Sequence, residues 1–374
     1  MAIIDKLTAI ANAIRSKTGT TNTMTLDEMS NAIKNIQTGM ITSDNRCTTI
    51  SDYLFFDCRN LALTELPSGL TSIGERAFYG CISLSLTELP SGITSIGRYA
   101  FHGCTSLSLT ELPSGITNIS DSAFNLCPNL SLTKLPSGIT NIGRFTFSGC
   151  TNLSLTELPS GVTNIGNSAF RSCTKLALTE LPSGITNIDY EVFMDCTSLS
   201  LTELPSGVTN IGDSAFFNCV NLVLTELPSG ITNISNAAFA GCTNLSLTKL
   251  PSGITNIGSF IFDGCTKLAL TELPSGITNI GKRAFYGCTK LVLTELPSGI
   301  TNIGASAFDN CTGIHSLTFK GTPNTIDATA FQGCNYLTTI NVPWAEGAVE
   351  NAPWGATNAT INYNYVAPTE ESST

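Results

Sequence analysis

From Leu61 to about Leu317 the apolar positions of the chain keep one period of 23 residues. In the copy from Leu84 to Ser106, Leu84, Leu86 and Leu89 fall at strand spacing. Pro90, Ser91 and Gly92 then predict a turn, because proline lacks an N–H and glycine tolerates positive φ. Ile93 and Ile96 supply a second apolar edge that Gly97 closes, and Ala100, Phe101 and Cys104 predict a short helical or 3-10 return. Thirteen phenylalanines, Phe55 to Phe331, and thirteen cysteines, Cys58 to Cys334, keep this beat without a gap. A fixed period of this length predicts a repeat solenoid, in which each copy buries its apolar face against the next. The expected fold is a curved stack of about 12–13 coils with short parallel strands and helical or 3-10 returns.

The flanks read differently. In residues 1–37, Ile3, Ile4, Leu7, Ile10, Ala11 and Ile14 mark one helical face, and Thr25 with Glu28 forms a capping box before a second helix. Two helices this short need a partner, so residues 1–37 are expected to be a helical anchoring and docking module, followed by a linker at 38–47. Ile50 and Phe55 sit in phase with the array, although the residues between them differ, as in a terminal capping repeat. Residues 48–343 form the array. Residues 344–366 are expected to cap it, with a last strand in 358–366 and Trp344 and Trp354 over the open end, and 367–374 is expected to be a disordered tail.

Composition narrows the chemistry. Charged residues are only 12% of the 374 and the net charge is −10, which argues against nucleic acid and anionic membrane surfaces. No run reaches the ~18 apolar residues of a membrane span, and Asp5 and Lys6 break the N-terminal apolar stretch that a secretion signal would need. The fourteen cysteines are thirteen in one phase plus Cys47. Neighbouring coils about 5 Å apart would just permit bridging, and buried free thiols acting as small hydrophobes are the other reading. There is no CxxC, HExxH, GxSxG or phosphate-cradling loop, and His102 and His315 stand too far apart along the stack to cooperate. No catalytic residue, metal ligand or cofactor site is expected, and the chain reads as a binding protein rather than an enzyme.

Three columns of exposed positions carry what chemistry remains. Glu65, Glu88, Glu111, Glu157, Glu180, Glu203, Glu226, Glu272 and Glu295 share one phase, interrupted by Lys134 and Lys249. They form either an acidic stripe for cations or a solvated face that resists aggregation. A Thr-Asn column from Asn118 to Asn302 predicts a hydrogen-bonded ladder along the stack. The copies disagree most just before and just after the Ala-Phe pair. There stand Arg76, Tyr79, Arg98, Tyr99, His102, Arg144, Phe145, Arg171, Tyr190, Met194, Phe217, Phe260, Arg283 and Tyr286. These are residue types that dominate binding hot spots, so they are the candidate ligand-binding set, with drift at solvated positions as the other reading.

The recurring text LTELPSGITNIGxxAFxGCTxLS, with Ile-Gly, Ala-Phe and Cys in fixed phase over residues 48–343, resembles the BspA-like, or treponemal-type, leucine-rich repeat family. That family commonly places an apolar residue six after the cysteine. This array has Leu86 five after Cys81, and only Leu317 and Ile340 return to six. The segment LTAIANAIRSKTGTTNTMTLDEMSNAIKNI resembles a module at the start of tail and baseplate proteins of phages of Gram-positive bacteria, and NVPWAEGAVENAPWGATNATINYNYV resembles the ending of phage tail and fibre proteins. Together these resemblances imply a phage or prophage tail-associated structural and adhesion protein. Its place would be the virion, its partners a host-surface protein or glycan and a tail or baseplate protein bound through residues 1–37, with homo-oligomers open. The alternative is a bacterial cell-surface or secreted leucine-rich repeat adhesin.

Overall fold

The structure is a computed structural model that describes residues 48–367. The expected helical module of 1–37, the linker 38–47 and nearly all of the tail lie outside the described residues. The chain divides after Leu178 into two compact units. Both are built from coils 23 residues apart, and each coil contributes a two-residue parallel strand.

In the first unit Thr49–Ile50, Ser72–Ile73 and Ser95–Ile96 form one sheet, and Asn118–Ile119, Asn141–Ile142 and Asn164–Ile165 another. In the second unit Asn187–Ile188, Asn210–Ile211 and Asn233–Ile234 pair, as do Asn256–Ile257, Asn279–Ile280, Asn302–Ile303 and Thr325–Ile326. The isoleucine of each strand is buried beneath its neighbour's. The preceding LPSG segment closes as a tight turn, the Ile93 N–H donating to the Pro90 carbonyl at 3.1 Å.

The leucine segment departs from the strand expected there. In the copy from Leu84, and in those that follow it within the first unit, it makes inter-coil bonds such as Ser108 N–H to Leu86 O at 3.1 Å but no strand. Leu86 and Leu89 are both buried yet three residues apart, so an extended backbone cannot turn both inward. True strands appear where the spacing is two. Ser316–Phe319 buries Leu317 and Phe319, and Thr339–Asn341 buries Ile340 with Val342 just beyond. These pair with each other, with Glu295–Leu296 and with Thr360–Asn362. Both copies with the six-residue step after the cysteine form a strand there, and the five-residue copy next to them joins through Glu295–Leu296.

The return around Phe is neither α nor 3-10 helix, which corrects the expectation. Tyr99, Phe101 and Gly103 donate their N–H groups to Asp121, Ala123 and Asn125 of the next coil at 3.1, 2.8 and 2.8 Å. Ala100, His102 and Cys104 instead donate back three residues, to Gly97, Tyr99 and Phe101. Every second N–H thus leaves the coil. The alternation is set by two left-handed residues flanking the phenylalanine, here Tyr99 (φ 55°) and Gly103 (φ 70°). A run of right-handed residues would spend all its N–H groups within the return and leave the next coil's carbonyls unpaired.

Glycine is the least strained choice at the second left-handed position, and Leu126 (φ 58°) occupies it in one coil of the first unit. Its side chain is 51% exposed, so little packing is lost by removing it. Leu126→Gly is expected to stabilise the first unit by about 1 kcal/mol, seen as a higher midpoint in thermal unfolding. A lower midpoint would refute the strain argument.

The phenylalanines form the core of each unit. Rings from Phe55 to Phe170 stack at 5.3–5.7 Å in the first, and rings from Phe193 to Phe331 at 5.2–5.7 Å in the second. Trp354 stands 23 residues after Phe331 and takes the next place in phase. It is wholly buried, it accepts the Phe331 N–H at 2.9 Å through its carbonyl, and its indole N–H donates to Glu350 O at 2.7 Å. Phe319 and Trp344 pack against it at 6.2 Å each. The thirteen cysteines from Cys58 to Cys334 are buried and form no disulfide. Thiols beyond the first coil reach back to the phenylalanine carbonyl of the preceding coil, at 3.0 Å for Cys81 to Phe55 and 3.0 Å for Cys219 to Phe193. The cysteine is a donor as well as a small hydrophobe, because that carbonyl has a second lone pair to fill.

Candidate ligand-binding surface

The position two residues before the phenylalanine is left-handed from Tyr53 to Ser306; small Ser122 and Ser168 are buried there, and the larger side chains of the first unit reach the surface. In the first unit Tyr53, Arg76 and Tyr99 occupy it in consecutive coils, at φ 58°, 51° and 55°. The Arg76 guanidinium lies over the Tyr99 ring at 4.8 Å and the Tyr53 ring at 5.4 Å. It donates to the Tyr53 hydroxyl and pairs with Glu75 at 2.9 Å. These contacts, the Tyr53 hydrogen bond first, hold its pKa above the ordinary arginine value. Arg98 approaches the Tyr99 ring at 5.6 Å and Asp121 at 3.6 Å.

A second column, one residue after the phenylalanine, runs beside it. Phe56 stacks on Tyr79 at 4.8 Å and Tyr79 on His102 at 4.5 Å, nearly parallel. His102 meets Tyr99 edge-on at 5.9 Å, which joins the two columns. Burial first, then the Arg76 charge, lowers the His102 pKa, so the ring is neutral at pH values near 7. Arg76, Tyr79, Arg98, Tyr99 and His102 are thus brought into one patch. Tyr53 and Phe56 join it, although the first copy departs too far from the repeat text for sequence to suggest them. Counting two back and one forward from Phe55 would have found both.

Arg144, Phe145 and Arg171 continue the same edge of the first unit without joining this patch; Phe145 is 38% exposed at φ 54°. In the second unit Tyr190, Met194 and Phe217 lie at equivalent phases. A smaller cluster forms farther on, where the Arg283 guanidinium lies 3.8 Å over Tyr286 and 5.7 Å over Phe260. Asp263 pairs with it at 3.0 Å, and burial, opposed by Arg283, raises the Asp263 pKa. Lys282 adds a cation over Phe260 at 5.8 Å.

The acidic column is exposed in both units, and Lys320 pairs with Glu295 at 2.9 Å. Among the described residues no group of three or more His, Cys, Asp or Glu is placed to hold a metal ion. The asparagine ladder is present. Asn141 donates to Asn118 at 2.7 Å in the first unit, and Asn279 to Asn256 at 2.7 Å and Asn302 to Asn279 at 2.8 Å in the second. Its amides satisfy one another, which leaves fewer of them for a ligand.

Comparison with known proteins places residues 29–144, 118–246 and 233–351 in matches to the BspA type leucine-rich repeat region (6 copies). A leucine-rich repeat protein from Bacteroides ovatus is 25% identical over 84% of this chain and 87% of its own, with a TM-score of 0.62. A leucine-rich cell surface protein from Faecalibacterium prausnitzii is 25% identical over 74% of this chain and 84% of its own, at 0.42. A leucine-rich repeat protein of T. pallidum is 33% identical over 46% of this chain and 82% of its own, at 0.38. No curated protein matches the chain.

Proposed function

The chain belongs to the BspA-type leucine-rich repeat family, and from that membership we propose that it is a non-catalytic adhesion protein that grips a host-cell surface protein or glycan with its aromatic–arginine edge. The observation that carries this reading is the patch of Tyr53, Phe56, Arg76, Tyr79, Tyr99 and His102, ordered by mutual stacking before any ligand arrives. Other coils of the first unit place Ser122 and Ser168 at the same left-handed phase. Bulky side chains held there at a backbone cost point to use rather than drift. Pre-ordered aromatic and arginine side chains lose little entropy on binding.

The setting proposed is a phage or prophage tail, docked through residues 1–37. It rests on the resemblance of the N-terminal segment to tail and baseplate proteins and of the C-terminal segment to tail and fibre proteins. A bacterial cell-surface adhesin is the second reading, because the family match covers the array that both settings share. Antibody labelling of purified virions against fractionated cell envelopes separates the two.

The edge itself is tested with residues that other coils use at the same phases. Arg76→Ser with Tyr99→Ser, and Tyr79→Asn, should leave the circular dichroism spectrum unchanged. Binding to intact host cells should fall at least about tenfold, the equivalent of one hot-spot contact. Undiminished adsorption by both variants would mean that the edge is not the binding surface.

A further inference from the structure

Five residues after each phenylalanine, between the cysteine and the first leucine, the second unit carries Ser198, Asn221, Asn244, Lys267, Lys290, Gly313 and Tyr336 in succession. Gly313 alone has no side chain. A Cβ there would sit 2.4 Å from the Leu291 carbonyl oxygen and 3.0 Å from that of Thr289, so nothing larger fits without moving backbone. Gly313 lines a depression of about 360 Å³, with Lys290 of the preceding coil and Tyr336 of the following one among the other lining residues. Thr289, Val292, Thr312 and His315 complete the lining.

The lining has a definite chemistry. Lys290 is exposed and takes no part in the Arg283–Asp263 and Lys320–Glu295 ion pairs. Tyr336 is 60% exposed and lies roughly parallel to the His315 ring at 5.9 Å. The His315 Nδ1 is 2.8 Å from the Gly313 carbonyl. A carbonyl only accepts, so Nδ1 carries a hydrogen and Nε2 is left to face a ligand. The depression therefore offers one ammonium, hydroxyls from Thr289, Thr312 and Tyr336, an imidazole nitrogen and an aromatic ring, with no carboxylate in its lining.

We propose that this notch is a binding site for an anionic sugar, one pyranose unit bearing a carboxylate. The carboxylate pairs with Lys290, the ring hydroxyls exchange hydrogen bonds with the threonines and His315, and the C–H face packs on Tyr336. A carboxylate needs a cation and a pyranose needs hydroxyl partners and a flat apolar ring, and these meet in the lining of this depression. The volume falls in the range of small-ligand sites. The site belongs to the second unit and shares no residue with the aromatic edge of the first, so it stands or falls independently of the adhesive role assigned to that edge.

The test is ligand-observed saturation-transfer NMR on the full chain with methyl glucuronide, methyl glucoside and acetate as probes. Saturation of methyl glucuronide alone is expected, with binding about tenfold weaker in Lys290→Met and in Tyr336→Ala. Both substitutions are at exposed positions, and circular dichroism checks that the fold is kept. Equal saturation of methyl glucoside would remove the anionic requirement, and equal competition by acetate would reduce the site to a carboxylate contact. Either result overturns the proposal, as does no saturation of methyl glucuronide or unchanged binding in both variants.

Discussion

Raised above about pH 9, each unit is expected to lose its fold over a narrow interval. Burial pushes up the thiols of Cys81, Cys104, Cys127 and Cys150 in the first unit. It does the same to Cys219, Cys242, Cys265, Cys288, Cys311 and Cys334 in the second. Cys127 and Cys334 reach about 12. An unfolded thiol ionises near 8.5. Between these values the folded chain holds protons that the unfolded chain has released, so stability falls as pH rises. The stability is fully present below about 8.5 and is lost on the way to about 12.

The six thiols of the second unit all shift in the same direction, so their effects add to one falling slope against a domain stability of only about 5–15 kcal/mol. Thiolate absorbance and far-ultraviolet circular dichroism followed together against pH provide the check. Thiolate should appear only as the fold disappears. Replacing Cys219, Cys242 and Cys265 by alanine should make the loss about half as steep in that unit. Thiolate appearing while the dichroism is intact would show that the column is accessible and would end the argument.

The repeat itself was legible because its period is rigid. Phenylalanine, cysteine and asparagine each recur at one phase, and each column is a contact between like residues in adjacent coils. The Asn118–Asn141 and Asn279–Asn302 bonds follow from that alone. The return was not legible, because its conformation depends on left-handed residues that differ from coil to coil: Arg76, Tyr99, Ser122, Phe145 and Ser168 share one backbone state and no common chemistry. Only the other left-handed phase, with Gly80, Gly103 and Gly149, carried a hint. The leucine strand failed for a smaller reason. Leu84 and Leu86 alternate, and Leu89 breaks the alternation by one residue, a count that the phrase LTELPSG conceals. Trp354 stands one period beyond Phe331, so its phase could also be counted from the sequence, whereas its packing on Phe319 and Trp344 could not. In the candidate surface, residue type found Arg76 and Tyr99, but adjacency across coils decided which residues act together, and adjacency is a property of the stack.

Phe239→Ala is expected to destabilise the second unit by about 4 kcal/mol, more than any single surface change. The ring is fully buried between Phe216 at 5.4 Å and Phe262 at 5.7 Å. Its loss leaves a void that neither neighbour can close, because each is fixed by a backbone bond to the following coil, Phe216 N–H to Ala238 O at 2.8 Å and Phe262 N–H to Ala284 O at 2.9 Å. In a stack whose stability is a sum over nearest-neighbour interfaces, one void weakens two interfaces at once. Trp354→Ala removes a larger ring from the last coils, where it packs on Phe319 and Trp344. The two variants should therefore differ in pattern. Hydrogen exchange read by mass spectrometry should show Phe239→Ala exposing amides on both sides of the void, around 211–219 and 257–265. Trp354→Ala should free only amides near 331–362. The same spread of lost protection in both variants would mean that the unit unfolds as one body, and nearest-neighbour stacking would no longer describe it.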